Sequence, residues 1–168
     1  MNIKKEVEQT LLIIIVGIIS HFLYEWSNHN VIIGLLSPVN ESIWEHLKLI
    51  FFPMLIPLLF NFNKNYFQAR IMGILSAILF LVLTFYTYSG IIGDNYAIVN
   101  IILYVLSILS GQFISCLSLQ NNVYFNITIS LILFLTLLIC FILFTFYPPR
   151  ISMFQDPISC TYGILKLS

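Results

Sequence analysis

Five stretches of this chain are apolar over lengths close to twenty residues, and that feature decides which solvent the chain can fold in. A helix needs about 20 predominantly apolar residues to cross the hydrocarbon core of a bilayer. The runs Leu11–Trp26, Ile43–Phe60, Ile71–Tyr88, Ala97–Leu119 and Val123–Phe146 approach or meet that length, with polar breaks between them. Hydrophobic residues make up 60% of the 168 positions and charged ones 8%, against roughly 25% charged in a soluble domain. The expected fold is therefore all-α, a polytopic transmembrane bundle of about five spans forming a single domain over residues 1–168. The first run follows Lys4 and Lys5 as the core of a secretory signal would. No small-residue cleavage site ends it and four more runs follow, so it is expected to remain as the first helix.

Lys and Arg concentrate in cytoplasmic loops of membrane proteins. Lys4 and Lys5 precede the first run, while Lys64 and Arg70 flank the break between the second and third. These positions share a side if every run crosses, which places the N-terminus in the cytoplasm and the tail, residues 147–168, outside a cell membrane. Arg150 and Lys166 oppose that orientation but are fewer. Tyr24, Trp26, Trp44, Tyr86, Tyr88, Tyr96 and Tyr147 fall at outward helix ends, the depth where aromatic residues anchor spans in the headgroup layer.

Between the first two spans, Val31–Leu36 is apolar but too short to cross, so it is expected to lie in the outer interface. Ser37 followed by Pro38 reads as an N-cap with proline at the first helical position. That would put Asn40 and Glu41 in the first turn of the second helix. Pro53 and Pro57 each remove a backbone donor and are expected to bend this helix. The tail is too polar and proline-rich for a sixth span and is expected to run extended across the outer face.

An ionisable group inside a bilayer is costly unless it is paired, so the few present carry most of the functional information. His21 and Glu25 lie four residues apart on one helical face; Glu41, Glu45 and Lys48 follow at spacings of four and three, with His46 beside them. All fall in the outer half under this threading. Three carboxylates against one ammonium leave negative charge to be neutralised by protonation, by Arg150 from the tail, or by a divalent cation. For the cation the candidate ligands are His21, Glu25, Glu45 and His46; candidate catalytic carboxylates are Glu25, Glu41 and Glu45. Asn40, Trp44, Lys48, Arg150 and Asp156 are candidate binding residues around them. Structural readings stand beside these: Glu45 with Lys48 as an intrahelical ion pair, Glu41 as a charge favoured near a helix N-terminus, Trp26 and Trp44 as interface anchors. Cys116, Cys140 and Cys160 lack metal-ligand spacing, and no internal disulfide is expected.

The run His21 to Ser27, then Ser37-Pro-Val-Asn-Glu-Ser-Ile-Trp-Glu-His-Leu-Lys48, with Asp156-Pro and Thr161-Tyr-Gly163 near the end, resembles the DUF6512 family of uncharacterised bacterial integral membrane proteins. The resemblance implies a small multi-span membrane protein and brings no assigned activity. From the residues themselves, the leading expectation is an outward-facing site, a metal-dependent hydrolase or ligand-binding centre for a lipid-linked or envelope substrate. A small transporter using intramembrane carboxylates as proton or cation sites is the alternative, and an accessory subunit the third. The chain has no His-Glu-x-x-His or Gly-x-Ser-x-Gly motif to fix a reaction. Seven basic and seven acidic residues leave no charge excess for nucleic acid; the bilayer, and further copies of the chain in a homo-oligomer, are the expected partners.

Overall fold

A computed structural model describes residues 3–164. The helices are α1 (Ile3–Trp26), α2 (Val31–Leu36), α3 (Ile43–His46), α4 (Lys48–Phe60), α5 (Lys64–Ile92), α6 (Ala97–Asn121) and α7 (Ile127–Phe146), followed by a 3-10 turn at Ser152–Phe154. Five units are long and apolar enough to cross a membrane: α1, the Ile43–Phe60 unit of α3 and α4, α5, α6 and α7. Consecutive units alternate in direction. Trp26, Ile43, Ile92, Ala97 and Phe146 thus gather at one end with α2 and the C-terminal segment, called here the tail end.

The apolar runs and the helices do not share boundaries, because hydrocarbon thickness sets the first and capping sets the second. The helix α5 starts at Lys64 rather than at Ile71, since Asn63 accepts a hydrogen bond from the Asn65 N–H, and it ends at Gly93 in the left-handed region. The start of α7 is at Ile127 rather than Val123 because the Asn126 side chain caps the Ile129 N–H. The second span does not begin at Pro38. There Asn40 Oδ1 accepts from the Ser42 N–H at 3.0 Å and Ser42 Oγ from the Glu45 N–H at 3.4 Å. These local bonds outcompete helix for residues 38–42, so Asn40 and Glu41 sit in a bend ahead of α3.

Pro53 and Pro57 lie inside α4, which is continuous from Lys48 to Phe60; the one interruption of this span falls earlier, at Leu47. Pro53 cannot donate to the Leu49 carbonyl four residues back. The Tyr104 hydroxyl of α6 takes that place, 3.4 Å from both the Leu49 and Ile14 carbonyl oxygens. Gly17 makes room for it: a Cβ there would stand 1.8 Å from the Tyr104 hydroxyl. A second close crossing joins α5 to α6, where a Cβ on Gly73 or Gly111 would come within 2.5 Å of the other glycine's carbonyl oxygen. Small residues at such crossings let transmembrane helices gain van der Waals contact, since lipid supplies little hydrophobic drive for association. Ile13, Ile50, Phe51, Met54, Ile74 and Phe141 form the centre of the packed interior.

The C-terminal segment is not the extended strap expected from its prolines. It folds back through the 3-10 turn and an isolated antiparallel bridge between Gln155 and Tyr162. The Ile164 N–H donates to the Thr145 carbonyl at 3.1 Å and the Asn40 side chain to the Gly163 carbonyl at 3.2 Å, fastening the segment across α7 and the 38–42 bend.

Candidate metal centre

His21 projects from the last turns of α1, His46 closes α3, and Glu41 reaches them from the bend. His21 Nε2 lies 3.2 Å from His46 Nε2. The Glu41 carboxylate is 3.5 Å from His46 Nε2 and 3.6 Å from His21 Nε2. His46 Nδ1 lies 2.8 Å from the Ser42 carbonyl oxygen and donates to it, so the Nε2 lone pair is left for the cluster. The same residue therefore caps α3 and orients the imidazole. The three side chains are partly buried, and ligand atoms from all three lie within 4.8 Å of one another. Two atoms bound to one zinc ion at 2.0–2.1 Å and tetrahedral angles are about 3.3 Å apart; the two imidazole nitrogens are 3.2 Å apart, and each approaches a different Glu41 oxygen at a slightly longer distance. The His21 imidazole beside it, and the nearby His46, hold the Glu41 carboxyl below the usual carboxylate range, so Glu41 is an anion at neutral pH.

Glu45 does not join this cluster. It pairs with Lys48 at 2.6 Å, the two side chains being 2% and 0% exposed. The ammonium also donates to Thr145 Oγ1 at 2.7 Å, to the Gly34 carbonyl at 2.8 Å and, at 3.4 Å, to that of Ser37. Glu45 Oε2 accepts the Val39 N–H as well, at 3.0 Å. One buried ion pair thus ties α2, the bend, α3, α4 and α7 together, and the expected pairing of Glu45 with Lys48 is found, formed across the Leu47 interruption.

The remaining candidates divide in the same way between structure and site. Glu25, one turn beyond His21, is exposed. Trp44 is half-buried, its ring packing among Phe141, Phe144 and Phe154 at centroid distances of 5.0, 5.3 and 4.9 Å. Asn40 serves the bend and Gly163. Asp156 is buried and accepts from the Ile158 N–H and the Ser159 hydroxyl inside the tail. Arg150 is exposed. The structure brings together His21, His46 and Glu41, with Glu41 in the ligand position that the sequence spacing offered to Glu25 and Glu45.

Glu41 and His46 also form part of the wall of a cavity of about 530 Å³ at the tail end. Across from them stand Ser89, Asp94, Asn95 and Asn100, from the end of α5, the following turn and α6. Leu49, Leu81, Phe85 and Tyr104 supply its apolar lining, and Ser152 and Gln155 of the tail contribute a further side.

A second polar network lies at the opposite end. Arg70, expected beside a loop, is fully buried on α5 and donates to Gln112 Oε1 and to the Tyr66 hydroxyl. The Tyr66 hydroxyl donates to Gln9 Oε1 at 3.1 Å, and Gln112 Nε2 to Glu6 Oε2 at 3.1 Å. The network joins α1, α5 and α6. Its sequence signal is the four-residue spacing of Tyr66 with Arg70, facing a glutamine in the middle of an apolar run.

Fold and geometry together define a multi-pass helical membrane protein with two histidines and a carboxylate converging at one end of the bundle. A family profile described as a family of unknown function, DUF6512, matches residues 2–164, and the chain belongs to that family. No curated protein and no solved structure shows a significant match to it.

Proposed function

We propose that this protein is a membrane-embedded metal-dependent hydrolase of the outer face of a cell membrane, with a divalent cation held by His21, Glu41 and His46 and the N-terminus in the cytoplasm. The observation that carries the reading is the convergence of two imidazole nitrogens and a carboxylate, at separations suited to one cation, with Glu41 and His46 also lining a cavity. His21, Glu41 and His46 would hold the cation, which would supply Lewis-acid activation of a water molecule at neutral pH. Ser42 acts behind the ligands by accepting from His46 Nδ1, as outer-sphere partners of zinc-bound imidazoles do. Support for the orientation comes from Lys4, Lys5 and Lys64 at the end opposite the cluster; Arg70, buried in the bundle, does not contribute to it.

The test is hydrolysis of lipids extracted from the membranes of cells lacking this chain, with products read by mass spectrometry. The purified protein should release product only after reloading with zinc, and His46→Ala should abolish it while exposed His29→Ala does not. Product formation indifferent to chelation, or retained in His46→Ala, would overturn the assignment.

A further inference from the structure

The cavity beside the cluster has a charge pattern that restricts what it can hold. Among the described residues its lining includes two carboxylates, Glu41 and Asp94, and no lysine or arginine. Of the described cations, Lys48 is enclosed by Glu45 and Thr145, Arg70 is buried at the other end, and Arg150 does not line the space. A phosphate monoester carries about −1.5 to −2 charges at pH 7, and phosphate sites recruit Arg, Lys or paired metal ions. One dication facing Glu41 and Asp94 leaves no positive excess for such a group. Its counterpart, a neutral carbonyl, needs only one polarising centre and a hydrogen-bond donor.

Asn100 provides the donor. The Tyr96 N–H donates to the Tyr88 hydroxyl at 2.8 Å, and that hydroxyl donates to Asn100 Oδ1 at 2.9 Å. The relay occupies the amide oxygen, so the group that Asn100, a lining residue, has left to offer is its Nδ2 donor. Leu49, Leu81, Phe85 and Tyr104 present hydrocarbon beside it. The volume, about 530 Å³, falls in the range of small-molecule sites.

We propose that this cavity takes an uncharged acyl ester or amide, with the carbonyl near the His21, Glu41 and His46 cluster and the acyl chain against the apolar wall, and that it discriminates against phosphate-bearing lipids. Turnover of such a substrate rests on the metal-site reading above. In that reaction water adds to the carbonyl carbon, the ester C–O or amide C–N bond breaks, and the leaving oxygen or nitrogen takes up a proton from the water.

The test compares 1-monooleoylglycerol with lysophosphatidic acid of the same acyl chain, each displacing a fluorescent monoacylglycerol from the full-length protein in nanodiscs, with zinc content measured on the same samples. Monooleoylglycerol should displace at a concentration at least tenfold lower. Asp94→Lys, a change at an exposed turn outside the cluster, should narrow that preference tenfold or more by strengthening lysophosphatidate, and Asp94→Asn should narrow it less. Asn100→Leu should weaken monooleoylglycerol alone. If zinc is bound and lysophosphatidate displaces equally well or better, the substrate class is wrong while the metal site survives. If the preference and the Asp94 effects hold in protein that binds no zinc, the cavity assignment stands and the hydrolase reading falls.

Discussion

Replacing Lys48 with methionine removes one half of an ion pair that has no water to replace it. The ammonium is 0% exposed and its partner 2%, at a separation of 2.6 Å. Without it Glu45 keeps the Val39 N–H and loses its one cationic partner, and Glu45 Oε1 already has no hydrogen bond. Breaking a buried pair from one side costs about 3–5 kcal/mol, since an uncompensated charge is left behind. Methionine preserves most of the lysine stem, so cavity formation adds little. Glu45→Gln should cost a similar amount by leaving the ammonium with neutral acceptors alone. With both changes neither charge remains, so the double variant should be no less stable than either single one, a coupling of roughly 3 kcal/mol. SDS titration in detergent micelles, followed by circular dichroism, measures all four proteins. A loss in Lys48→Met below about 1 kcal/mol, or strict additivity, would refute the account of this pair.

Gly17→Ala should destabilise the α1, α4 and α6 crossing by about 1–3 kcal/mol in thermal unfolding, and adding Tyr104→Phe should recover part of the loss, because the clash is chiefly with the hydroxyl. Arg70→Lys should fail to replace arginine and lose roughly 2 kcal/mol, since a single ammonium cannot reproduce the fork that reaches Gln112 and Tyr66; wild-type stability would contradict this. In a variant keeping only exposed Cys160, an impermeant thiol reagent should label intact cells, and labelling that requires permeabilisation would reverse the proposed orientation.

The spans were legible because hydrocarbon thickness writes itself into the length of apolar runs. The helix ends were less so: Asn63 and Asn126 cap helices several residues from the run boundaries, and the Asn40 to Ser42 bond opens a bend where Ser37-Pro38 suggested a helix start. That bend also decides which carboxylate meets the histidines. The spacing of Glu41, Glu45 and Lys48 is compatible with either acid; the three-residue pairing of Glu45 with Lys48, completed by Thr145 from α7, withdraws Glu45 and leaves Glu41 to reach across. Arg70 looked like a loop charge because the apolar run starts after it, whereas its burial depends on Tyr66 one turn earlier and Gln112 from another helix. The packing of Trp44 against Phe154 likewise depends on the tail folding back, which no spacing near Trp44 announces.

Zinc stoichiometry, measured by inductively coupled plasma mass spectrometry on protein exposed to zinc and then dialysed, tests the central claim most directly. Wild type, Glu25→Gln and Glu45→Gln should each retain about one ion per chain, as one four-coordinate site requires, while His21→Ala, Glu41→Gln and His46→Ala should retain at least tenfold less. A wild-type protein that holds no zinc, or equal retention in His46→Ala, would contradict the assignment of this cluster as a metal centre.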